Sequence, residues 1–296
     1  MPNNESPPSP EPTTPQTQTP SEPVVDLFIK TFPRDYPWLP YLLRSIEKFC
    51  RGFRYVIIVH EGDLPTPYAP KGCEVFLLPA NRPQHDPDYN DRVSLGYQYQ
   101  KAIKVMWPGF YGPAVPMPDA VVQVDSDMIF ARPTTPESFR QDCAPVWLRR
   151  EWVDMDHPES WAAWGPGMEW FARGNPVLWN YMVRPGFYLT REATTAFGNH
   201  LTRTHGMNPY EFFLSREIPH QSEYNLFGLF LQMFADRYRW SGMKSEDERH
   251  HFGYRLLTPE EFEKPCPLLQ FHSWTQCDQN GQIHPDIITQ IEGILQ

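Results

Sequence analysis

Two aspartates one residue apart, Asp125 and Asp127, close the apolar run Ala120–Val124. An ionised carboxylate buried without a partner is costly, and two close together also repel. A core strand ending in such a pair calls for a compensating cation. On extended backbone, positions i and i+2 share a face. Oxygen ligands on one face suit Mg²⁺ or Mn²⁺, with waters and phosphate oxygens filling the remaining positions. The competing reading is an acidic turn between two strands, because Met128-Ile129-Phe130 is apolar again. D-x-D by itself is too short to choose between them.

The elements around the pair give it context. Val24 to Lys30 reads as a strand and Thr31 to Asp35 as a loop. Leu39, Leu42, Leu43, Ile46, Phe49 and Cys50 then recur at helical spacing. Arg54 to His60 and Glu74 to Leu78 read as further strands, and Ala120 to Val124 as a buried one. Strand, helix, strand in this order predicts an α/β fold with a parallel sheet. In such sheets ligands bind beyond the carboxyl ends of the strands, where Lys30, Thr31, Asp125 and Asp127 all fall.

Between these strands, about Ser94 to Met106 reads as a helix with two faces. Leu95, Tyr99, Ala102, Ile103 and Met106 form an apolar stripe expected in the core. Tyr97, Gln100, Lys101 and Lys104 form the opposite side, either a solvated face or a wall meeting an anion. Trp152, Trp161, Trp164 and Trp170 crowd a stretch rich in Gly, Pro, Asp and Glu, giving a satellite cluster or an acceptor cleft. Arg184 to Thr190 reads as a strand and Arg191 to His205 as a helix. Arg173, Arg184, Arg191 and Arg203 make a local excess of positive charge. Ser222 reads as an N-cap, and Glu223 occupies the first turn behind it, where the helix dipole favours a carboxylate. Tyr224, Phe227, Phe230, Leu231 and Phe234 are the expected inward face. Pro267 to Phe271 is a strand leading into His272-Ser273-Trp274, and Pro285 to Leu295 a closing amphipathic helix.

With these pieces placed, Val24 to Trp274 resembles the GT-A glycosyltransferases, and within them a bacterial and phage-borne group. The resemblance rests on VVDLFIKTF, YQYQKAIK, the DSD after its strand, and the late SEY and FHSW. It implies a Rossmann-like sheet with residues 24–135 binding the nucleotide-sugar and 136–296 the acceptor. It implies Asp127 as the ligand of Mn²⁺ or Mg²⁺ bridging the donor diphosphate, with Asp125 on ribose or a metal-bound water and His272 completing the shell. Lys30, Thr31, Gln100 and Lys104 become donor contacts. Glu223 becomes the base that deprotonates the acceptor hydroxyl, although the usual acidic pair there is reduced to Ser-Glu. Trp161, Trp164, Arg184 and Arg191 are the expected acceptor contacts. The expected donor is a UDP-sugar. The expected acceptor is a carbohydrate or small molecule, and in second place a hydroxymethylated base in phage DNA.

Composition narrows the classes. The chain has 296 residues and a net charge of −10, which opposes a general nucleic-acid binder. Residues 1–23 hold eight prolines and no apolar residue beyond Met1, so they are expected to be a disordered tail before one domain over 24–296. Five cysteines without a C-x-x-C pair point to a reducing compartment. No signal peptide and no membrane-length apolar run is present, so a cytoplasmic protein is expected. A nucleotidyltransferase would also use paired aspartates, but it would carry a glycine-rich loop after the first strand, where Thr31-Phe32-Pro33-Arg34 has no glycine. A sugar- or nucleotide-binding protein without turnover is the non-enzymatic alternative.

Overall fold

The computed structural model describes residues 22–65, 68–80, 95–151, 158–181, 186–215, 218, 222–238, 240–244, 252–253, 268–271 and 282–296. It is an α/β fold with a mixed central sheet of five strands. The strands are β1 (Val25–Thr31), β2 (Tyr55–His60), β3 (Glu74–Pro79), β4 (Ala120–Asp125) and β9 (Phe187–Thr190). Their order is β3-β2-β1-β4-β9; the first four run parallel and β9 runs antiparallel to β4. The chain leaves β1 toward β2 and β3 on one side, then returns to place β4 on the other. The order therefore reverses between β1 and β4, the position where open α/β sheets bind ligands. Lys30 and Asp125 are register partners at that point.

The sheet is covered on both faces, which is why its strands are almost continuously apolar. Val25, Leu27 and Ile29 of β1 and Ala120, Val122 and Val124 of β4 face α1 (Leu39–Phe49) through Leu39, Leu42, Leu43 and Ile46. Each of these buried Val, Leu and Ile side chains contributes about 1.5–3 kcal/mol. Phe28, Val121 and Leu189 belong to the opposite core, with α2 (Leu95–Val105), α3 (Pro158–Ala172), α4 (Arg191–His205), α5 (Pro209–Leu214) and α6 (Glu223–Met233). Alternation along the strands puts Lys30 and Asp125 on this second face, the face of α2 and α6.

Two small sheets flank the centre. One contains β6 (Arg140–Gln141), β7 (Ala144–Glu151) and β10 (Ser241–Lys244), with β8 (Trp179–Asn180) paired to β7. The other joins β5 (Met128–Phe130) to β12 (Leu268–Phe271), with β11 (Phe252–Gly253) beside it. The closing helix α7 (Pro285–Leu295) docks Ile287, Ile291 and Ile294 against Trp38 and Ile129, and Glu292 grips Arg44 with both oxygens. No helix among the described residues is long and apolar enough to cross a membrane.

Three expectations change. The tryptophan stretch, rich in Gly and Pro, is helical where it is described: α3 carries Trp161, Trp164 and Trp170 with Pro166 inside, and Gly165 is where the Trp161 ring lies, 2.5 Å from where a Cβ would stand; Trp152 lies outside the described residues. Met106 lies beyond α2 and is exposed, whereas Val105 is buried. The strand β4 ends at Asp125, and Ser126-Asp127 forms a turn. The two aspartates therefore do not share an extended backbone, and the i, i+2 argument stops at Asp125. The segment 1–21 lies outside the described residues.

Candidate functional site

The C-terminal ends of β1, β2 and β4 meet the N-terminus of α6 and the last turns of α2 in a network of buried charges. Lys104 is its hub. Its ammonium lies 2.8 Å from Asp125 Oδ1 and 3.0 Å from Glu223 Oε1, and 4.8 Å from the centre of the Tyr224 ring. The carboxylates of Asp125 and Glu223 are thereby brought within about 6 Å of each other, the two contacts laid end to end. The cation that the acidic strand end requires is supplied, for Asp125, by the chain itself. Gln123, two residues earlier on the same face, donates its side-chain amide to the Lys104 carbonyl and fixes α2 against β4.

Local sequence explains how Glu223 arrives there. Ser222 caps α6, its hydroxyl accepting from the Asn225 N–H at 3.4 Å. Glu223 is then the first helical residue, in the positive field of the helix start. It is 5% exposed, so it is not a carboxylate waiting at an open mouth but one enclosed with Lys104. Tyr224 stacks on Phe187 with ring centres 3.6 Å apart, which locks the turn behind Glu223.

Lys30 forms the other arm. It is 1% exposed, pairs with Glu61 at 2.6 Å and donates to the Thr31 carbonyl at 2.7 Å. Glu61 follows β2, and its carbonyl accepts from the Tyr36 hydroxyl. Thr31 is fully buried, and its hydroxyl has no hydrogen-bond partner among the described residues. A buried hydroxyl in that state is costly, and a ligand would satisfy it. Lys101, one turn before Lys104, is fully buried with its ammonium 5.0 Å from the Trp164 ring.

Burial acts differently on the three lysines because their partners differ. For Lys104 it is the largest single influence and disfavours the charge, but Asp125, Tyr224 and Glu223 together outweigh it and raise the pKa well above the ordinary value. For Lys30 burial wins over Glu61, and the pKa falls. For Lys101 burial, helped by Lys104 and only partly countered by Glu223, brings it to about 7. Burying a charge does not by itself mark this end of the sheet. Asp26, on the same face of β1 at its other end, is fully buried and gripped by Arg54 at 3.0 and 2.7 Å, a structural clamp far from the cluster.

The expected site residues divide cleanly. Lys30, Thr31, Lys104, Asp125, Asp127 and Glu223 converge. Gln100 lies half-buried on α2, one turn before Lys104. Trp164 joins through Lys101, whereas Trp161 packs on its own helix at Gly165. Arg191 is not brought to the cluster. It starts α4 beside Asp119, 3.4 Å away, at the end of β4 opposite Asp125. Arg203 lies near the far end of the same helix, about 18 Å along it. The excess of arginines in the sequence is therefore not one patch. Arg184 and His272 lie outside the described residues. Strand β12, which precedes His272 in the chain, runs antiparallel to β5 with Gln270 opposite Met128, so its C-terminal end reaches the Asp127 turn. Asp35 carries no signal in the sequence, and Lys101 is expected only as part of the α2 face that is either solvated or meets an anion. Lys101 was visible as the i−3 neighbour of Lys104, but a surface lysine is the default on such a face.

Among the described residues no group of three or more His, Cys, Asp or Glu side chains forms a protein-only metal centre. What could meet a divalent ion here is carboxylate oxygen. Among the described residues, Lys30 is paired with Glu61, and Lys104 with Asp125 and Glu223. Asp127 is 7% exposed and Asp125 is already shared with Lys104. A hard divalent ion held by Asp127 would need substrate phosphates and waters to complete its shell, as Mg²⁺ sites commonly do. Two clefts of about 300 and 250 Å³ open elsewhere, one beside Cys50 and Cys73, the other beside Trp147 and Tyr238. Neither of these two is lined by a residue of the Lys30, Lys104, Asp125 and Glu223 network. No protein-family model matches the chain, and no curated protein matches its sequence.

Proposed function

We propose that the chain is a GT-A glycosyltransferase that moves a sugar from a nucleotide-diphosphate-sugar, expected to be a UDP-sugar, to a hydroxyl acceptor. The observation that carries this reading is the Asp125–Lys104–Glu223 bridge at the β1/β4 reversal. Sugar transfer must stabilise a departing diphosphate and remove a proton from the acceptor. One buried ammonium here stands between a carboxylate at the nucleotide-binding strand end and a carboxylate at a helix start.

Asp127 would hold Mn²⁺ or Mg²⁺, with Asp125 beside it and His272 as the expected further ligand. Bound there, the ion supplies Lewis-acid stabilisation of the leaving diphosphate. Lys30 and Lys104 place fixed positive charge at the same strand ends and orient the phosphates. Thr31 and Gln100 offer neutral hydrogen bonds to the nucleotide. Glu223 Oε accepts the proton of the acceptor hydroxyl as the new glycosidic bond forms and the sugar–phosphate bond breaks. Tyr224 and Trp164 wall this side from water. A carbohydrate or small hydroxylated molecule is the favoured acceptor, because the net charge of −10 opposes the phosphate contacts that a DNA acceptor needs.

A panel of nucleotide-sugars with Mn²⁺, assayed for release of free nucleoside diphosphate, tests the proposal. Release with one donor class, abolished by chelator, is the expected result. No release from any donor, with no donor binding by calorimetry, would overturn it.

A further inference from the structure

We infer that Asp35 is a positioning residue for the Asp125–Asp127 turn, acting through Ser126. Its consequence for metal affinity rests on Asp127 being the metal ligand proposed above; its effect on the turn does not.

Asp35 ends a short 3₁₀ turn (Pro33–Asp35) that follows β1. It is only 5% exposed. Its backbone is fixed from both sides: its N–H donates to the Phe32 carbonyl at 2.8 Å, and its carbonyl accepts from the Trp38 N–H at 3.0 Å. Trp38 is fully buried. The side chain therefore extends from a rigid turn. Its Oδ2 accepts from the Ser126 hydroxyl at 3.3 Å, and Ser126, at 1% exposure, is the residue between the two aspartates.

Strand β4 ends at Asp125, and the strand pairings given for β4 and β5 among the described residues stop at Asp125 and resume at Met128. The flanks of the turn are fastened by other means. The Asp125 N–H points to Met128 Sδ at 3.2 Å. The Phe130 N–H donates to Ser45 Oγ at 3.0 Å, while Ser45 donates to the Leu42 carbonyl of α1 at 2.7 Å. Between those flanks Asp35 anchors the middle. A third carboxylate placed beside two others is repelled by them, and Lys30, which feels the Asp35 charge, offsets that repulsion. Outer partners that orient metal-binding carboxylates commonly change metal affinity 10- to 100-fold when removed.

The test compares Asp35→Ala, Asp35→Asn and Ser126→Ala in the full chain. One readout is amide hydrogen exchange over residues 120–130; the other is Mn²⁺ affinity from the resonance of free Mn²⁺. Asp35→Ala and Ser126→Ala should speed exchange at Ser126–Met128 several-fold and weaken Mn²⁺ binding about tenfold. Asp35→Asn, which keeps an oxygen to accept from Ser126, should stay within about twofold of wild type on both. Unchanged exchange in the alanine variants overturns the inference. So does an Asn variant as damaged as the Ala variant, which would make Asp35 a direct ligand. If wild type binds no Mn²⁺ while exchange responds as expected, the metal assignment falls and the positioning role stands. Should Asp35→Ala fail to fold, the Asn and Ser126→Ala variants carry the comparison.

Discussion

Replacing Lys104 by methionine keeps most of the side chain's volume and removes its charge. Asp125 and Glu223 then lose the ammonium at 2.8 and 3.0 Å. Their side chains are 19% and 6% exposed, so Asp125 can recover some hydration and Glu223 little. Removing one partner of a buried pair costs about 3–5 kcal/mol. A second route caps that cost, because the stranded glutamate can take up a proton instead. For a carboxyl of reference acidity this costs about 3.7 kcal/mol at pH 7 and about 1 kcal/mol at pH 5. Lys104→Met should therefore destabilise the fold by about 3–4 kcal/mol at pH 7, shrinking to about 1 kcal/mol at pH 5. In wild type the Lys104 pKa is raised above its unfolded value of 10.5, so its contribution is fully present below that pH and is lost only as pH rises through the folded value. Urea denaturation of both proteins at pH 5, 6, 7 and 8 measures the difference. A variant as stable as wild type at pH 7, or a loss that does not vary with pH, would refute the bridge as the hub of the cluster.

Four further outcomes are expected. Asp127→Ala should lower donor turnover about a thousandfold, roughly 4 kcal/mol of transition-state stabilisation, with the melting temperature little changed; activity persisting in excess chelator would count against the metal. Glu223→Gln should impair transfer while leaving nucleotide affinity near wild type in calorimetry, and a collapse of nucleotide binding would reassign Glu223 to the donor side. Gly228→Ala should destabilise by about 1–3 kcal/mol or more in thermal denaturation, since the new Cβ would stand 2.2 Å from Cγ of fully buried Tyr181. The His205 pKa is depressed to about 4, first by burial and then by Arg173 and His200. Its stabilising contribution is present above the unfolded value of 6.5 and is lost as pH falls toward 4, so His205→Phe should flatten the stability profile between those limits.

Much of the frame could be read from the sequence, because burial on both faces leaves a strong local pattern. The apolar run before Asp125, the spacing of Leu39, Leu42, Leu43 and Ile46, the Ser222 cap and the bounds of α7 all match what the residues dictate locally. What escaped was non-local or contrary to local rule. Helix α3 was hidden by Gly165, Pro166 and Gly167, residues that ordinarily end helices; Gly165 is there because the Trp161 ring takes the place of a side chain. The antiparallel direction of β9 has no signature in FYLT, since it depends on where the preceding chain returns. The grouping of Arg191 with Arg203 assumed that closeness in sequence means a shared surface, which a helix of 15 residues defeats. The site was visible as acids. Its lysines were half visible, because a lysine on the polar face of a helix reads as solvated until a second carboxylate, Glu223 of α6, is folded against it.

Strand β4 is paired on both sides, by parallel β1 and antiparallel β9, and both its faces are covered. Strands of that kind open only when the whole domain unfolds, whereas edges and loops open earlier and at lower cost. Asp125 is the last residue of β4, and its register partner Lys30 belongs to the equally enclosed β1. On heating, the charge cluster should therefore survive until the global transition, and thermal inactivation should follow the loss of secondary structure rather than precede it.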